Sequence, residues 1–164
     1  MTLRSKSVLL ATLAVATLLA LAAPASAQTF TLTATLTGAN ETPAPGVNTG
    51  AFGSATVTVN LTTRTVTWVV DVFNLPSGVT ASHIHVGAPG PAGPTVVNFV
   101  VVNNVSNDFR FSGSARDTEF TLRPEVGIRS ADDMFQAILG GNSYVNVHSQ
   151  VNPGGEIRGQ LILK

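Results

Sequence analysis

The chain has 164 residues, no cysteine, and nine basic against nine acidic side chains. Near-zero charge gives no electrostatic footprint for nucleic acid or for an acidic membrane surface. The missing cysteines rule out thiolate metal sites, a Cys nucleophile, a lipid-bearing Cys anchor and any reliance on disulfides.

Arg4 and Lys6 open the chain, followed by an uncharged Leu- and Ala-rich run from Val8 to Ala23. Pro24 breaks the run, and Ala25-Ser26-Ala27 has the small-x-small form of a cleavage site. This is the pattern of a signal peptide over residues 1–27, with cleavage before Gln28 and a domain at 28–164. The alternative is a retained membrane anchor, since no charge occurs between Ser7 and Asn40. The proline and the Ala-x-Ala box favour cleavage. The expected location is secreted or periplasmic, with no stable membrane span after cleavage. The remaining length suits one domain able to bury a core without staples.

From Gln28 to Leu36, Phe30, Leu32, Ala34 and Leu36 alternate with threonines, the pattern of a half-buried strand. Gly38 to Gly50 reads as a loop. Phe52–Leu61 and Thr65–Phe73 read as an antiparallel hairpin, with Trp68 in the core. Val79–Val86 is a strand carrying His83 and His85, and Gly87–Pro94 is a stiff glycine-proline surface loop. Thr95–Val102 is an apolar strand, read as buried on both sides, and Asn103–Asp108 is a turn. Phe109 and Phe111 form a short strand, Ser112–Thr118 reads as polar and exposed, and Glu119–Leu122 as a further strand.

One helix is expected. Ser130 and Asp133 resemble a capping box, Met134, Phe135, Ile138 and Leu139 have helical spacing, and Gly140-Gly141 ends the run. The helix is placed as a plug at one end of the sheets. Ser143–Val151 is a strand carrying His148, Asn152–Gly155 a turn, and Glu156–Leu163 the last strand. Eight or nine short strands without a βαβ rhythm indicate an all-β antiparallel sandwich or barrel.

Four segments, in order, resemble the motifs of the CHRD domain, named after chordin and found in many secreted microbial proteins. Gly38-Ala39-Asn40-Glu41-Thr42-Pro43 is similar to "GAxExP". Ala81-Ser82-His83-Ile84-His85-Val86-Gly87 is similar to "AHIHxG", with Ser82 set between the alanine and the histidines. Gly140 to Ser149 is similar to "GxxYVNVH", and Pro153 to Leu161 to "PxGEIRGQ". The resemblance implies a Greek-key β-sandwich, immunoglobulin-like or superoxide-dismutase-like. It implies fold more than function. Growth-factor binding in chordin is assigned mainly to cysteine-rich modules, so signalling antagonism is not carried over to this cysteine-free chain.

The chain's three histidines form the candidate site. His83 and His85 share one strand face, and Asn146 and His148 share another. Three imidazoles so placed suit copper or zinc. Glu41 could serve as a fourth ligand or an outer acceptor, and Tyr144, Asn146, Glu156 and Arg158 as hydrogen-bond partners. The competing readings are a hydrogen-bonded scaffold and an organic-ligand site. Glu156 and Arg158 read most simply as a solvated salt bridge. The His-x-His strand is also similar to that of copper-zinc superoxide dismutases, but their further histidines and disulfide have no counterpart here. No G-x-S-x-G occurs, and Asp132 and Asp133 are explained by helix capping, so hydrolase readings fail. The leading expectation is an exported binding module for a metal ion or a protein partner. A structural or adhesive envelope module comes second, and a copper redox enzyme third.

Overall fold

The computed structural model describes residues 28–101 and 106–164. The signal-peptide reading of residues 1–27 and part of the turn at 103–108 lie outside them. The described residues form nine strands: β1 Thr29–Thr37, β2 Phe52–Asn60, β3 Thr65–Phe73, β4 Ala81–Val86, β5 Thr95–Phe99, β6 Phe109–Arg116, β7 Ser143–His148, β8 Ile157–Gln160 and β9 Ile162–Leu163. One helix, α1, spans Ala131–Leu139.

The expected all-β antiparallel class is what the chain adopts. The strands form one continuous ladder in the order β5-β4-β7-β8-β1-β2-β3-β6, with β9 also paired to β1. The sheet curls until its two ends approach. Phe99 of β5 meets Phe111 of β6 edge-on at 6.5 Å, and Phe99 stacks on Trp68 of β3 at 4.2 Å. The result is barrel-like and nearly closed.

Strand alternation sets the core. Leu32, Ala34 and Leu36 of β1, Ala55, Val57 and Val59 of β2, and Val66, Trp68, Val70 and Val72 of β3 all turn inward. So do Ser82, Ile84 and Val86 of β4, which puts His83 and His85 on the outer face. Burying one such aliphatic side chain is worth about 1.5–3 kcal/mol, and this apolar stripe is what fixes the register.

The helix forms as expected. The Ser130 hydroxyl accepts from the Asp133 backbone N–H, and the Asp133 carboxylate accepts from the Ser130 hydroxyl and the Arg129 N–H. Met134, Phe135 and Ile138 are buried in the core. Arg64, in the β2–β3 turn, holds Asp132 and lies over the Phe135 ring.

The strands read as Val79–Val86 and Ser143–Val151 are shorter, Ala81–Val86 and Ser143–His148, and four further readings change. Ser112–Thr118 is not an exposed linker: β6 runs to Arg116, paired with β3 along its length. Its inward residues, Gly113 and Ala115, are too small to announce a strand. Glu119–Leu122 is not a strand either. A 3-10 turn at Asp117–Glu119 precedes Phe120, which packs on Phe135. β5 ends at Phe99, and its Asn98 faces outward, so it is not buried on both sides. The last strand breaks at Leu161, leaving Leu163 exposed while Glu156 and Arg158 are buried.

Gly113 lies directly across from Trp68, and a Cβ there would sit 2.6 Å from the indole ring. Gly113→Ala should therefore lower stability by about 1–3 kcal/mol, the usual range for overpacking. Denaturant titration followed by the fluorescence of the sole Trp measures this; an unchanged midpoint would contradict the packing.

Candidate metal centre

The outer face of β4 and β7 is built by their register. Ala81 pairs with His148, His83 with Asn146 and His85 with Tyr144. Because β8 follows β7, Asn146 also faces Arg158, and Tyr144 faces Gln160. All three histidines of the sequence thus collect on one patch. Each offers a ring nitrogen within 4.8 Å of the others.

Hydrogen bonds fix the tautomers. His85 Nδ1 lies 2.9 Å from the Gly93 carbonyl, and His148 Nδ1 lies 2.8 Å from the Pro153 carbonyl. A carbonyl can only accept, so both Nδ1 atoms carry the proton and both Nε2 atoms present lone pairs. His148 Nε2 takes a hydrogen bond from His83 Nδ1 at 3.1 Å. His85 Nε2 is buried and has no partner. A backbone carbonyl on Nδ1 with Nε2 free is the usual outer arrangement of a metal-bound histidine.

The spacing of one pair suits a small transition metal. Bonds of 2.0–2.1 Å place two ligands of a tetrahedral ion about 3.3 Å apart. The His83–His148 pair already stands at 3.1 Å. An ion there replaces one hydrogen bond and requires His83 to move its proton from Nδ1 to Nε2 or release it.

The rings are held neutral. Burial, then repulsion from His148 and His85, lowers His83 to about 4. Burial also lowers His85, with partial offset from the Gly93 carbonyl, and lowers His148, with partial offset from Pro153.

The proposed partners take different positions. Glu41 is buried and accepts a short hydrogen bond from Asn146 Nδ2, so it is no member of the three-nitrogen cluster. Burial raises its pKa. Asn146 Oδ1 is buried without a partner. The Tyr144 ring stacks on His85 at 4.8 Å, and its hydroxyl accepts from the Gly93 N–H at 2.9 Å.

Glu156 and Arg158 do not form the solvated ion pair read from their spacing. Glu156 accepts from Ser149 and Asn152. The Arg158 guanidinium lies 3.4 Å over Tyr144 and donates to the carbonyls of Ala88, Gly90 and Pro91. Loops folded back over the sheet bury both side chains. The carbonyls of Gly93 and Pro153 are the functional groups that sequence reading missed, because a main-chain acceptor has no residue signature.

The chain is thus a nearly closed antiparallel β-domain with three neutral imidazoles clustered on its outer face. A family model for the CHRD domain matches residues 32–161, and the chain belongs to that family. No curated protein and no solved structure matches it.

The lowered histidines set a pH dependence. Between about 6.5 and 4 the unfolded chain binds more protons than the folded one, so stability is full above that window and falls as pH drops through it. After discounting for solvent screening at a half-buried group, His83 contributes on the order of 1–2 kcal/mol, a few degrees in Tm. Melting the metal-free protein at pH 7 and pH 4.5 should show this loss, and His83→Asn should lose less. Equal losses would contradict the assignment.

Proposed function

We propose that this CHRD domain is a metal-binding module of an exported protein, taking copper or zinc at His83, His85 and His148. The observation that carries the reading is the unpartnered, buried Nε2 of His85, in one cluster with His83 and with His148, whose own proton sits on Nδ1. A pure hydrogen-bond scaffold would leave that atom unsatisfied, at a cost of about 1–3 kcal/mol. An ion uses it. Glu41 acts one layer out, orienting Asn146 beside His83. The fold is read as a sandwich of the immunoglobulin or dismutase kind, with β5-β4-β7-β8 as one layer and β1-β2-β3-β6 as the other. The Trp68–Phe99 stack across the core supports that division.

One contact favours the second reading, a structural envelope module. The His83–His148 hydrogen bond ties β4 to β7 without any ion. Calorimetric titration of the 28–164 protein with Cu²⁺ and Zn²⁺ decides between them. The expected result is saturable binding near one equivalent, weakened at least about 100-fold by His85→Ala or His148→Ala. Heat without saturation in the unmodified protein leaves the scaffold.

Export rests on the Arg4/Lys6 start, the apolar run and the Ala25-Ser26-Ala27 box. Expression of the full chain in a bacterium should place it in the periplasm or medium with Gln28 as its first residue. N-terminal sequencing checks this; an intact terminus in the membrane fraction identifies a retained anchor instead.

A further inference from the structure

We infer that the tri-histidine site selects for copper in its monovalent state over divalent ions. The inference rests on the reading of His83, His85 and His148 as a metal site and concerns the charge that site tolerates.

The donor set is three neutral imidazoles, and no carboxylate joins it. The two buried acids nearby are committed elsewhere. Glu41 is bonded to Asn146, and Glu156 to Ser149 and Asn152. The side-chain charges that act on His85 itself are positive. Tyr144 of β7 is stacked on His85 from β4 and carries the buried guanidinium of Arg158 from β8 over its ring at 3.4 Å. From β5, on the other side of β4, Thr95 pairs with His85, and its carbonyl takes a hydrogen bond from Arg123 Nε at 2.9 Å. His85 therefore sits between two guanidiniums, and both disfavour positive charge on it.

A divalent ion in this position keeps its full charge of two, because neutral ligands cancel none of it. It meets twice the repulsion from Arg158 and Arg123 that a monovalent ion meets. Among the ions that imidazole binds well, copper alone has an accessible monovalent state. Cu(I) has a filled d shell and accepts three nitrogen donors without needing a fourth. Zn²⁺ seeks four. A divalent ion that brought its own anion would also reduce the net charge, and the experiment below separates that case.

Affinities for Cu(I), Cu(II) and Zn(II) should be measured on the 28–164 protein. Cu(I) is delivered anaerobically from a bicinchoninate complex. Cu(I) should bind at least about 100-fold more tightly than Cu(II) relative to the aqueous ions, which places the bound couple about 120 mV above the aqueous one. Arg158→Gln should reduce that ratio about tenfold, or about 59 mV, while Arg158→Lys, which keeps the charge, should leave it unchanged. The ratio is read rather than either affinity, so looser packing of the loop that Arg158 holds does not mimic the effect. Arg123→Gln, at a less buried position, is the second variant and should shift the ratio in the same direction.

A bound couple at or below the aqueous potential overturns the inference. So does a ratio indifferent to both glutamine variants. So does Cu(II) or Zn(II) affinity that rises with chloride, which identifies a divalent ion carrying an anion. Saturable binding of divalent ions alone leaves the metal site standing and removes only the preference. No binding of any ion removes the site as well.

Discussion

Six residues of β4 paired with six of β7 set the arrangement on which the rest depends. The same ladder that drives Ile84, Val86, Val145 and Val147 into the core turns His83, His85, Asn146 and His148 outward. A slip of one residue would exchange the two sets and bury imidazole where the core is apolar. The register is thus enforced by hydrophobic burial rather than by any attraction among the histidines. The patch exists because the aliphatic residues between its members are anchored.

That outer face is polar but largely covered. Glu41, Asn146, Glu156 and Arg158 are each more than nine-tenths buried, although they lie on the side of the sheet away from the core. The glycine-proline run after His85 holds Arg158, the 38–47 loop supplies Glu41 against Asn146, and the turn after β7 holds Glu156 through Ser149 and Asn152. Burying such groups is tolerable only where partners are provided, and most partners here are main-chain carbonyls or amide side chains. Two buried oxygens, Asn146 Oδ1 and Glu156 Oε1, have none. The molecule therefore has two kinds of interior, an apolar one enclosed by the sheet and a polar one beneath the loops.

Much of this was legible from alternation. β1 to β4 and β7 have strong period-two patterns, and their inward residues are those the pattern names. The helix was marked by its cap and its spacing. β6 was hidden because Gly113 and Ala115 face the core, and the room they leave is filled by Trp68, forty-odd positions earlier in the chain. The three histidines could be gathered by parity alone. What parity could not supply was the burial of Glu156 and Arg158, because covering loops leave no trace in a strand's own pattern. The tautomers were equally out of reach, since they depend on which carbonyls happen to lie beneath each ring.

The run from Gly87 to Pro94 makes its contacts almost entirely through the main chain. Six of its eight carbonyls are used: Gly87 by Gln160, Ala88, Gly90 and Pro91 by Arg158, Gly93 by His85, and Pro94 by the Val86 N–H. Few of its side chains are needed, yet two identities are fixed by the backbone: Gly90 has φ +108°, and a Cβ at Gly93 would sit 1.7 Å from the Val86 carbonyl oxygen. Its length is not free. Inserting one residue would offset every later acceptor from its donor. In this segment the heritable information lies in the count of residues and in where the glycines fall.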